Sequence, residues 1–67
     1  MNANARAATA YGLSLLVDGI AKDTAEIGAE AARERAVNDL ATTPPLALAR
    51  LLTVAVEQLA EAKRGDA

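Results

Sequence analysis

The stretch Thr42-Thr43-Pro44-Pro45 constrains this chain more than any other. Both prolines sit there, between two long segments that read as helix. Pro44 locks its own φ and drives Thr43 out of the α region, so no helix runs through this point. The same residues start a new helix well. Thr43 can cap its N-terminus, and Pro44 suits the first helical position, where a backbone N–H would have no partner. The pattern predicts one tight turn at residues 42–43 and two antiparallel helices.

What surrounds the turn is helix-forming. Eighteen of the 67 residues are alanine, and no alternating run of Val or Ile suggests a strand. The expected fold is therefore all-α, in a single domain: a long helix over residues 6–41 and a shorter one over residues 44–64. The second segment is plainly amphipathic. Leu48, Leu51, Leu52, Ala55, Leu59 and Ala62 share one stripe, Val56 widens it, and Arg50, Glu57, Glu61 and Arg64 collect on the other side. Lys63 and Arg64 before Gly65 suit a helix C-terminus, with Gly65 at the position just past its end. Asn4 or Thr9 is placed to cap the first helix.

The long segment changes face along its length. Leu13, Leu16, Val17, Ile20, Thr24, Ile27 and Ala31 form a regular stripe, which then runs into Glu34, Arg35 and Asn38. A second face of Ala25, Ala29, Ala32, Ala36 and Leu40 takes over, and the second helix is its simplest partner. At 1.5 Å per residue, the second helix covers only about the last twenty residues before the turn. Residues 7–21, the most apolar part of the chain, are left over, and such a stripe does not stand bare in water. Two arrangements resolve this. In the preferred one the long helix is continuous, and Tyr11, Leu13, Leu16, Val17, Ile20 and Ile27 form a self-association surface, building a dimeric four-helix bundle. In the other the chain bends at Asp18-Gly19, a turn dipeptide, and Asp23 and Glu26 frame a capping box, giving a monomeric three-helix bundle. The unbroken phase from Leu13 to Ile27 favours the continuous helix.

Chemistry is sparse. The chain has no cysteine and no histidine, which removes the thiol nucleophile and the commonest metal ligand and general base. Glu26, Glu30 and Glu34 recur every four residues, as in helical carboxylate-metal sites, but the facing helix supplies only Glu57 and Glu61 on its polar side. A solvated face with Glu30–Arg33 and Arg35–Asp39 pairs is the plainer reading. Arg33, Arg35 and Arg50 have acidic neighbours and no glycine-rich loop, so no phosphate site is expected. Arg35 and Asn38 read either as a register-setting polar pair or as an exposed helix end. Ser14, Thr9 and Thr24 have no base beside them. No catalytic residue, cofactor or metal is expected.

The net charge of −2 is mixed along the chain and gives no reason to expect nucleic acid or an acidic membrane as partner. Residues 7–17 are too short an apolar run to span a bilayer and imitate a signal peptide poorly, so a cytoplasmic location is expected. The sequence thus reads as a non-enzymatic interaction module of the small bacterial or phage accessory type, acting as adaptor or scaffold. Its expected partners are a second copy of itself and another protein. A small regulator, antitoxin-like or DNA-associated, is the alternative, and a carboxylate-metal nucleotide hydrolase a remote one.

Overall fold

The computed structural model describes residues 1–65 and is all-α. Three helices follow in order, α1 over Ala3–Ile27, α2 over Ala29–Ala41 and α3 over Pro45–Gly65, with no strand among the described residues. They form a plate about 35 × 34 × 15 Å. Asp66 and Ala67, expected to trail the last helix, lie outside the described residues.

α1 starts earlier than the sequence suggests. Asn2 is its N-cap, its side-chain oxygen accepting the Ala5 N–H at 2.8 Å. Thr9 does not cap; its hydroxyl donates back to the Ala5 carbonyl inside the helix. Asp18, Gly19 and the Asp23–Glu26 pair all lie within α1, so the bend at Asp18-Gly19 does not occur.

The continuous long helix does not occur either. It is broken at Gly28, whose φ of 89° and ψ of 160° belong to a region that is essentially glycine's alone. The break is one residue long. Gly28 N–H still donates to Thr24 O at 3.1 Å, and Gly28 O still accepts Ala32 N–H at 3.0 Å. Neither bond crosses the break: the first closes α1 and the second opens α2. The Arg35–Asp23 ion pair at 3.2 Å spans the junction in place of the expected Arg35–Asp39 pair, and ties α2 back towards α1.

The second junction lies where the prolines demand it, shifted by one residue. The Thr42 hydroxyl donates to Asp39 O at 2.9 Å and the Thr43 hydroxyl to the same oxygen at 3.0 Å, closing the end of α2. Thr43 is thereby occupied and does not cap α3. Pro44 O accepts Leu48 N–H at 2.9 Å, which makes Pro44 the flanking residue and Pro45 the first helical one. At the far end, Gly65 closes α3 rather than standing beyond it, after Lys63 and Arg64 in the last turn.

The bend at Gly28 redirects the rest of the chain. α3 packs against the first half of α1, and α2 packs more against α1 than against α3. Arg6 of α1 is ion-paired with Glu57 of α3, and Gly12 lines a cleft with Ala47 and Leu51. The alanine face expected to meet the last helix divides: Ala32 is buried, Ala36 and Leu40 are half-buried, and Ala25 and Ala29 are exposed. Among the described residues only Ala32 and Val54 are fully buried.

Candidate functional site

Leu13, Leu16, Val17 and Ile20 of α1 come together with Leu40 of α2 and with Leu48, Leu51, Leu52 and Ala55 of α3 in one groove of about 200 Å³. None of these nine side chains carries a hydrogen-bonding or titratable group. The volume is below the roughly 300–1,000 Å³ of small-molecule sites. This groove can exclude water and accept apolar side chains. It holds nothing that would polarise a bond or move a proton.

Each wall follows from local sequence. On α1 the residues recur at spacings of three and four, the rows that share a helix face. Leu13 and Leu16 are half-buried at the floor, while Val17 and Ile20 stand at the rim, 56% and 43% exposed. On α3 the side facing α1 carries Ala47, Leu51 and Val54, which are half-buried or buried. That face is rotated by roughly 80° from the stripe expected to be covered, at about 100° per residue. Leu52 and Leu59, members of that stripe, are therefore 64% and 71% exposed.

Four of the six residues expected to self-associate thus line one feature, and two do not. Tyr11 is 67% exposed on another part of α1. Ile27 is exposed at the Gly28 junction, in a separate cleft with Glu30 and Glu34. The stripe on α1 is not left without an intrachain partner, contrary to the expectation from helix lengths. α3 does reach Leu13 to Ile20, because the bend at Gly28 brings the chain back over them. What remains open is a groove between helices rather than one bare helix. The α3 members Leu48, Leu51, Leu52 and Ala55 were visible in the sequence as a stripe. Their meeting with α1 depends on the bend at Gly28, which the stripe itself does not encode.

No family model, curated protein or solved structure matches the chain.

The polar candidates stay apart. Gly28 interrupts the ladder of Glu26, Glu30 and Glu34, leaving Glu26 on α1 and the other two on α2. Glu30, Arg33 and Glu34 line an open cleft with Val37 and Asn38. No group of three potential metal ligands occurs among the described residues. Glu57, expected on a solvated face, is half-buried with Arg6 as its partner, and Glu61 pairs with Arg64. Among the described residues no helix is long and apolar enough to cross a membrane.

Proposed function

We propose that this protein is a non-enzymatic helical interaction module that works by associating with itself through the apolar groove. The observation that carries the reading is the groove's lining: nine apolar side chains from three helices, open at the surface. Its rim joins further exposed apolar groups on α3, and a continuous apolar patch of this kind marks an interaction surface. The chain is 52% hydrophobic, yet only two of its described residues are fully buried. Covering the groove with a second copy would add the burial that a small three-helix plate lacks.

The test is the mass in solution, by light scattering or sedimentation, over a wide concentration range. A dimer or higher assembly is expected, with a thermal midpoint that rises with protein concentration because association and folding are linked. A compact monomer at every concentration would overturn the reading.

A further inference from the structure

We infer that the contact between copies is centred on α3, in an antiparallel pair with its two-fold axis between Ala55 and Val56. The inference rests on the self-association reading and adds which helix meets which. Three observations converge on it.

The first is where the free apolar surface lies. α1 contributes two side chains to the floor of the groove and two to its rim, whereas Leu48, Leu52, Val56 and Leu59 run as one exposed row along α3. With Val17 and Ile20 at the rim, Leu52, Val56 and Leu59, each more than half exposed, offer each protomer a contiguous apolar surface for a small two-protein interface. The second is shape. Reversing α3 about a point between residues 55 and 56 sets Leu52 against Leu59 of the second copy, and Leu59 against its Leu52. The small Ala55 at the centre lets the two axes approach. Such a self-complementary match is what a two-fold contact requires.

The third is charge. The acids of α3 lie away from the row: Glu57 is held by Arg6, and Glu61 lines the same cleft as Arg6. Of its cations, Arg50 lines the cleft with Thr9 and Gly12 on another side, and Lys63 and Arg64 are in the last turn. Parallel pairing would bring Lys63 beside Lys63 of the second copy. Antiparallel pairing separates the two by roughly 22 Å along the axis, well beyond the screening length in physiological salt.

The chain has no cysteine, so single thiols report the geometry directly. On mild oxidation, Val56→Cys is expected to give a disulfide-linked dimer. Lys63→Cys is expected to stay unlinked, because cross-linked Cα atoms must lie within about 7 Å. Leu59→Glu is expected to convert the assembly to a monomer of unchanged helicity, since Leu59 is largely exposed within the protomer. An assembly that survives Leu59→Glu, or that links through Lys63→Cys as readily as through Val56→Cys, overturns this arrangement and leaves self-association standing. A wild-type monomer overturns both. If Leu59→Glu unfolds the chain, the two thiol variants still decide.

Discussion

At Thr43-Pro44 the helix stops because covalent structure forbids it to continue; at Gly28 it stops although nothing covalent forbids it. The first junction is closed locally, by two threonine hydroxyls on Asp39 O and by proline rings that fit the start of α3. The second has no capping side chain at the start of α2 and keeps a helical hydrogen bond on either side of Gly28. Straightening it would regain the bonds of the first N–H groups of α2, each worth about 0.5–1.5 kcal/mol. What opposes straightening is long-range: α3 on α1, with Val54 buried, and the Arg35–Asp23 pair across the bend. One junction is a property of four residues. The other is a property of the whole fold.

The comparison breaks most visibly if the long-range contact is removed. Val54→Asp places an unpaired carboxylate where a buried valine stood, and should cost more than about 3 kcal/mol. The expected result is loss of the α1–α3 contact and release of the bend. Spin or fluorescence labels on α1 and α2 should then move apart to the spacing of one continuous helix. The turn at residues 42–43 should persist. Labels that keep their wild-type spacing would show that Gly28 is bent on its own account.

Gly28→Ala acts on the same junction from within. The backbone there is open to glycine and strained for any side chain, even though a Cβ would meet no atom within 4 Å. The penalty is therefore conformational, about 1–3 kcal/mol against the bent form. Alanine also favours helix by about 1 kcal/mol over glycine. Both terms drive α1 and α2 towards one rod, so helicity and hydrodynamic radius should rise together. A compact variant of wild-type helicity would refute the account.

These two variants also explain what could be read in advance. The all-α fold and the proline turn rest on local residues, and the sequence shows both. Leu13, Leu16, Val17 and Ile20 were legible as a stripe, since helical spacing is local too. The bend leaves one trace in the sequence, the change of apolar face beyond Ala31, but Gly28 carries no capping side chain that would place the break there. Asp18-Gly19 looked the better break on local grounds, yet it sits inside α1 with ordinary helical backbone. The rotation of α3 that buries Val54 and exposes Leu52 depends on where α1 lies, and so on the bend.

Leu51→Ala and Leu52→Ala sharpen that last point. Both fall on the apolar stripe, and the sequence alone assigns both a cost of about 2–5 kcal/mol if buried. In the fold Leu51 is half-buried against α1 and Leu52 is mostly exposed. Leu51→Ala should then cost clearly more than Leu52→Ala in denaturant titrations of the dissociated chain. Equal costs would mean that α3 is rotated otherwise than described.

The smallest effect belongs to the pair across the bend. Arg35 is 58% exposed, and exposed ion pairs contribute about 0.2–1 kcal/mol. Arg35→Ala should therefore loosen the Gly28 junction only slightly, and less still in high salt, where the wild-type pair is itself screened. Pro45→Ala should do as little at the other junction, because the first helical position needs no N–H partner and the threonine hydroxyls remain. The two variants differ in what they add to a weakened contact. In a background of Leu51→Ala, Arg35→Ala should promote straightening at Gly28, because both changes act on one long-range balance. Pro45→Ala should add nothing to it, because Pro44 alone still excludes a helix through Thr43. A coupling of Leu51→Ala with Pro45→Ala as large as that with Arg35→Ala would erase the distinction between the junctions.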